Sequence, residues 1–180
     1  MKLMRIFVLC TGRCGSMTFA KACSHITNYT SAHESGSYVD WSYPDNHIEV
    51  DNRLSWFLGT LACKYPEAQY VSLNRNKRDV VDSFVRRGIS HSPILKAYTQ
   101  GIIQPQFKAA NPTEWLKKAV EHYVETVDAN VGHFLEGRDG WWNIDIEQPL
   151  KHFGQFWRQI GADGDLDAAC AEFDKRYNRG

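Results

Sequence analysis

An α/β fold with a mainly parallel sheet is the class this sequence predicts, and three observations predict it. Short apolar runs rich in Val, Ile and Leu sit at residues 5–10, 47–51 and 69–73. Between them lie stretches whose apolar residues recur every three or four positions, the period of a helix with one buried face. Strand and helix therefore alternate, the pattern of a mainly parallel sheet flanked by helices in three layers. With 180 residues and no repeat, low-complexity tract or linker, residues 1–180 read as a single domain with one core.

Residues 5–10 form the first strand. The run is too short for the apolar segment of a secretion signal and no small-residue cleavage site follows, so a cytoplasmic protein is expected. A helix from Ser16 to about His25 puts Met17, Ala20 and Cys23 on one face. Residues 28–32 make a second strand, followed by a polar and aromatic loop with Tyr38, Trp41 and Tyr43. "HIEVD" is a third strand, and a helix from about Arg53 to Lys64 carries Leu54, Phe57, Leu58 and Leu61 until Pro66 stops it. "QYVSL" is a fourth, leading to a helix from Val80 to Arg87 with Asp79 as its N-cap and Gly88 at its end.

Residues 89–110 read as irregular or weakly helical. Asn111, Pro112 and Glu114 then make a strong helix start. That helix runs to Leu135 on Leu116, Val120, Tyr123, Val127, Val131 and Phe134, with Gly137 beyond its end. "WWNIDI" is a late strand, and two amphipathic helices, residues 149–160 and 166–177, close the chain.

Lys plus Arg equals Asp plus Glu at 21 each, so no global field draws in nucleic acid or an anionic membrane. Any anion site is built locally. Nothing approaches membrane-spanning length. Cys10, Cys14, Cys23, Cys63 and Cys170 lack the spacing of a disulfide framework or zinc site and read as free thiols. Cys14 alone lies in a turn before a helix, where a thiol's pKa can fall.

That turn, "TGRCGSMT", joins the first strand to the first helix. A strand, a glycine turn and a helix start point several backbone N–H groups at one spot, aided by the helix dipole. Gly12 and Gly15 allow close approach of the backbone, Ser16 and Thr18 add hydroxyls, and Arg13 adds a planar fork of donors. A Walker A loop needs four residues between its glycines and then Lys-Ser/Thr, and this turn has neither. A second anion element follows the fourth strand: Arg75 at the strand end and Ser83 on the next helix. Strand ends of a parallel sheet gather along one edge, which would bring Arg75 and Ser83 beside the first turn.

Taken together, "TGRCGSMT" and "RNKRDVVDS" resemble the two nucleotide-binding elements of the PAPS-dependent sulfotransferases, a family with a P-loop-like α/β fold. The first is similar to the family's 5′-phosphosulfate loop, T-x-x-[KR]-[SC]-G-[ST], and the second to its 3′-phosphate element, R-[DN]-P-R-D-x-x-x-S. The similarity covers the order of elements from residue 5 to about 88, and the segment "WWNIDIEQPL" is also similar. Arg13 stands where many cytosolic members have lysine, whereas the carbohydrate and bacterial branches often have arginine, and Lys77 replaces the usual proline. Thr18 stands where many cytosolic members stack a tryptophan on adenine. No C-terminal R-K-G loop is recognisable, and Arg176, Asn178 and Arg179 are the residues that would do part of its work.

The resemblance implies 3′-phosphoadenylyl sulfate (PAPS) as sulfuryl donor, PAP as product and no required metal. It implies that Arg13 and the turn from Thr11 to Thr18, Cys14 and Met17 included, hold the phosphosulfate, with Arg75 and Ser83 on the 3′-phosphate. It also implies a base after the second strand, where "AHES" offers Glu34 first and His33 second or as its partner. The acceptor would be a small-molecule or sugar hydroxyl.

His47, Glu49 and Asp51 share one face of a strand. A central parallel strand is normally apolar on both faces, so this face lines a polar cleft or marks an exposed edge. The reading preferred here is an acceptor-pocket wall, with Trp41 as an aromatic contact. Two alternatives stand beside a sulfotransferase: a P-loop-type small-molecule kinase, and a non-catalytic binder of PAP or another phosphorylated ligand.

Overall fold

The computed structural model describes residues 4–36, 42–103, 111–175 and 177. Tyr38, Trp41, Arg176, Asn178 and Arg179 lie outside the described residues.

Branched and aromatic side chains make both faces of Arg5–Leu9 (β1) apolar, and Ile6, Phe7, Val8 and Leu9 are fully buried. Such a strand belongs at the centre of a parallel sheet. It pairs with His47–Val50 (β3) on one side and Gln69–Asn74 (β4) on the other. Thr30–His33 (β2) and Trp141–Asp145 (β5) complete a five-stranded, all-parallel sheet of order β2-β3-β1-β4-β5. The predicted three-layer α/β architecture is the one observed.

The helices are Ser16–Cys23 (α1), Leu58–Lys64 (α2), Lys77–Arg87 (α3), Pro93–Ala97 (α4), Pro112–Leu135 (α5), Pro149–Gln159 (α6) and Leu166–Ala171 (α7). Phe19 of α1 meets Phe153 and Phe156 of α6 at 5.5 and 5.6 Å between ring centres, and Trp142 of β5 meets Phe156 at 5.2 Å. That layer covers one face of the sheet. On the other, Tyr70 of β4 packs edge-on against Phe134 of α5, and Phe84 of α3 against Tyr123 of α5. Alternate residues of β4 thus point to opposite layers, as the pleat demands.

Several boundaries differ from the sequence expectation, each for a local reason. The helix expected over 53–64 is two pieces: a tight turn, Asn52–Trp56, and then α2. The Asp51 carboxylate accepts from the Arg53 amide and starts that turn at once after β3. Asn76, not Asp79, caps α3, its side chain accepting from the Arg78 and Asp79 amides. The last helix stops at Ala171 and tightens into Glu172–Asp174. Residues 89–103 include a one-turn helix, α4, followed by a wide turn, Tyr98–Ile102. Among the described residues no helix is long and apolar enough to cross a membrane.

The strand order positions the site. From β1 the chain moves outward to β2, returns to β3 beside β1, and crosses to the opposite side for β4. Loops leaving β1 therefore diverge from those leaving β4, opening a crevice at the carboxyl ends of the strands.

Candidate active site

The turn after β1 is built on left-handed backbone. Gly12, Arg13 and Gly15 have φ of 81°, 59° and 85°. The first bond inside α1 runs from the Phe19 amide to the Gly15 carbonyl at 2.9 Å, so the amides of Ser16, Met17 and Thr18 have no acceptor within the helix. Tyr123, fully buried on α5, donates its hydroxyl to the Thr11 carbonyl at 2.7 Å and ties the turn to the core. Non-glycine residues rarely adopt this conformation, and Arg13 does so where its side chain meets the crevice.

Two cavities flank this turn. The first, about 530 Å³, is lined by Arg13, Ser16, Thr18, Arg75, Ser83 and Arg86, with Gly15, Met17, Ile146, Glu147, Phe173, Lys175 and Tyr177 closing it. The second, about 500 Å³, lies on the β2–β3 side and includes Gly12, Arg13, Ser16, His33, Glu34 and Arg53 in its wall. Arg13, Ser16 and Met17 belong to both. One turn is the partition between them.

Polar bonds join the partition to each side. Arg13 Nε donates to Ser83 Oγ at 3.0 Å, and an Arg75 guanidinium nitrogen donates to the Arg13 carbonyl at 3.3 Å. On the other side His33 Nε2 lies 3.1 Å from Ser16 Oγ. Burial lowers the basicity of the Arg13 guanidinium, and the positive charges of Arg87, Arg75 and Arg86 lower it further. In a chain of zero net charge, four guanidiniums thus act on one spot, which favours an anion there.

The expected site residues divide as follows. Arg13, Gly15, Ser16, Met17, Thr18, Arg75 and Ser83 share the first cavity, and His33 and Glu34 face the second. Gly12 lines only the second cavity. Thr11 and Cys14 line neither: Thr11 Oγ1 bonds within the turn to the Gly12 carbonyl, and Cys14 is buried in the core. The neighbouring Cys10 thiol pulls the Cys14 pKa down against the effect of burial, with help from the Gly12, Cys14 and Ser16 amides, while Cys10 is pushed well up. A thiol facing the core beside another thiol supports the turn and contacts neither cavity.

The reading of His47, Glu49 and Asp51 as a pocket wall needs correction. They line neither cavity, and β3 is an interior strand, not an edge. Their polar face is a buried brace beneath Glu34. Glu49, fully buried, accepts from the Ser35 amide at 2.9 Å, from Ser35 Oγ at 2.5 Å and from His47 Nε2 at 3.1 Å. Burial pushes the Glu49 carboxyl up, but the bonds from His47 and Ser35 outweigh it and leave it below its ordinary value. Asp51 holds the Arg53 guanidinium at 2.8 Å, and Arg53 donates to the Glu34 carbonyl at 3.1 Å. Glu34, itself left-handed at φ 52°, is thereby held on both sides. Tyr43 packs inward against Phe7 and His47, and Trp41 lies outside the described residues.

Arg86, Arg53, Phe173, Lys175 and Tyr177 are wall residues not named among the expected site residues. The spacing of Ser83, Arg86 and Arg87, three and four positions apart on one helix face, was the available signal for Arg86. For Phe173, Lys175 and Tyr177 it was their place beside Arg176, Asn178 and Arg179, the C-terminal residues expected to do part of a closing loop's work. Glu172, buried nearby, accepts from Lys175 Nζ at 2.8 Å, from the Tyr177 hydroxyl and from His25 Nε2 at 3.1 Å. Lys175 and then Tyr177, with His25, hold its carboxyl at about 2 despite burial.

A depressed carboxylate stabilises the fold above its unfolded value of about 4.3 and loses that contribution as pH falls toward the folded value. Urea unfolding from pH 6 to pH 2.5 should therefore show wild type more stable than Glu172→Gln at the upper end, the curves converging as acid is added. Parallel curves would mean that the carboxylate charge does not hold this segment.

Among the described residues no group of three or more His, Cys, Asp and Glu side chains is arranged to hold a metal ion. No protein-family model matches the chain, and no curated protein matches it in sequence.

Proposed function

We propose that the protein is a sulfotransferase that moves a sulfuryl group from PAPS to the hydroxyl of a small-molecule or sugar acceptor. One observation carries the reading: a single amide-rich turn separates a cavity where Ser83, Arg75 and Arg86 join Arg13 from a cavity where Glu34 and His33 join Arg13, Arg53 and Arg87. A donor and an acceptor on opposite sides of one turn meet there, as in-line transfer requires. Arg75, Ser83 and Arg86 suit the 3′-phosphate, while Arg13 and the amides of Ser16, Met17 and Thr18 at the start of α1 suit the 5′-phosphosulfate.

The chemistry follows the loose transition state of phosphoryl transfer, where positioning and charge stabilisation dominate. Glu34 takes the acceptor's proton as its oxygen bonds to sulfur. The bond from sulfur to the 5′-phosphate oxygen breaks, and PAP departs with the added negative charge, which Arg13 balances. The Glu34 carboxylate makes no hydrogen bond among the described residues, whereas His33 is engaged with Ser16, so Glu34 is the preferred base. Nucleic acid and membrane are not expected partners. A reducing cytoplasm suits the free thiols of Cys10, Cys14, Cys23, Cys63 and Cys170.

The reading is tested by calorimetry in EDTA. PAP is expected to bind without metal and more tightly than 5′-AMP, which occupies only one of two anion positions. Arg75→Ala should weaken PAP by about 1.5–3 kcal/mol, the worth of a charge-assisted contact. Equal affinity for the two nucleotides would sink the 3′-phosphate assignment. Because Arg75 also bonds the Arg13 carbonyl, equal weakening of both ligands in the variant would make it a brace of the turn. Sulfuryl transfer from labelled PAPS separates an enzyme from a simple binder.

A further inference from the structure

A third cavity, of about 360 Å³, adjoins the one that holds His33 and Glu34. Its wall is Trp56, Phe57, Ile94, Ala97, Tyr98 and Ile102, together with Arg53. Arg53, Ile94 and Ala97 also line the Glu34 cavity, so the two spaces share a border. The border residue Arg53 is tied down, its guanidinium on Asp51 and on the Glu34 carbonyl. Polar contacts thus end at Arg53, and a wall of aromatic and aliphatic carbon begins. Phe57 and Ile102 in that wall are 39% and 59% exposed, which leaves large apolar groups in water.

We infer that this cavity takes the hydrocarbon part of the acceptor, which is an amphiphilic alcohol or phenol with its hydroxyl at Glu34 and its apolar tail beyond Arg53. The inference rests on the reading of the Glu34 cavity as the acceptor side. A free sugar, polar all round, has nothing to place against Trp56, Phe57 and Ile102, and would leave them wet. An alkyl or aryl tail removes them from water, and each methylene so buried multiplies affinity about fourfold.

The probes are phenol, para-ethylphenol and para-butylphenol, titrated by calorimetry into the full chain with and without PAP. Wild type is expected to gain about fourfold in affinity per added methylene. Beside Ile102→Ser alone, which changes the most exposed large apolar residue of the wall, stands the double variant Phe57→Ser/Ile102→Ser. It should keep the affinity for phenol and lose most of the gain with chain length.

A flat series in wild type overturns the inference, as does a gain that the double variant retains, since the tail then binds elsewhere. A concentration-dependent oligomer that the double variant dissociates also overturns it, assigning this face to a second copy of the chain. The nucleotide reading fails separately, by absence of PAP binding, and the chain-length series in nucleotide-free protein still decides the apolar site.

Discussion

Glu34→Gln is expected to lower sulfuryl transfer by about 10²–10⁴, the usual consequence of losing a general base. PAP affinity should be unchanged, because Glu34 lines the cavity on the β2–β3 side and not the one that holds Arg75 and Ser83. Glutamine keeps the size and can still hydrogen-bond the acceptor, but it cannot take the proton. The fall should therefore appear in kcat more than in acceptor KM. A phenol, already partly acidic, should suffer less than an alkyl alcohol. The comparison to run is wild type, Glu34→Gln and His33→Gln on one working acceptor. Near-normal turnover in Glu34→Gln with collapse in His33→Gln would move the base to His33. Glu49→Gln sharpens the test, since Glu49 touches Ser35 and not the cavity. Its expected effect is a milder loss of kcat through misplacement of Glu34, with PAP binding kept.

Gly15→Ala is expected to destabilise the fold by about 2–5 kcal/mol and to abolish nucleotide binding. Two costs combine. The backbone at Gly15 has φ of 85°, where a side chain costs about 1–2 kcal/mol. A Cβ there would also lie 2.7 Å from Cγ1 of Ile146, and such overpacking costs about 1–3 kcal/mol. The two costs separate in a double-mutant cycle with Ile146→Ala, read by urea unfolding. Removing the Ile146 side chain should recover the contact cost and leave the backbone cost, giving a favourable coupling of about 1–3 kcal/mol. Strict additivity would mean that the turn does not press on the end of β5. The same contact explains why nucleotide binding goes with it: relief of the clash moves the Ser16 and Met17 amides that both cavities share.

The sequence by itself determined the class and the order of elements, because these depend on local chemistry. Apolar runs of strand length, helical periodicity, and caps such as Asn111 and Gly137 act within a few residues and read directly. The turn from Thr11 to Thr18 was legible for the same reason: glycines and hydroxyls between a strand and a helix lie in one contiguous stretch, and the left-handed turn into α1 follows from them.

What only the tertiary structure decided was everything that depends on strands distant in sequence lying side by side. The alternating polar face of His47, Glu49 and Asp51 fitted a cleft wall or an edge strand; a third outcome holds, a buried brace whose partners are Ser35 and Arg53. Sequence spacing cannot distinguish these, because a carboxylate is tolerated in an interior strand wherever enough donors converge on it. The division of the crevice into two cavities by one turn likewise follows from sheet order, which sends β2 and β3 to one side of β1 and β4 and β5 to the other. Long-range packing also brought Lys175 and Tyr177 to the cavity of Arg75 and Ser83 and placed Trp56 and Phe57 in one cavity wall with Ile94 and Ile102. Those contacts join segments tens of residues apart, and no local pattern encodes where a chain returns.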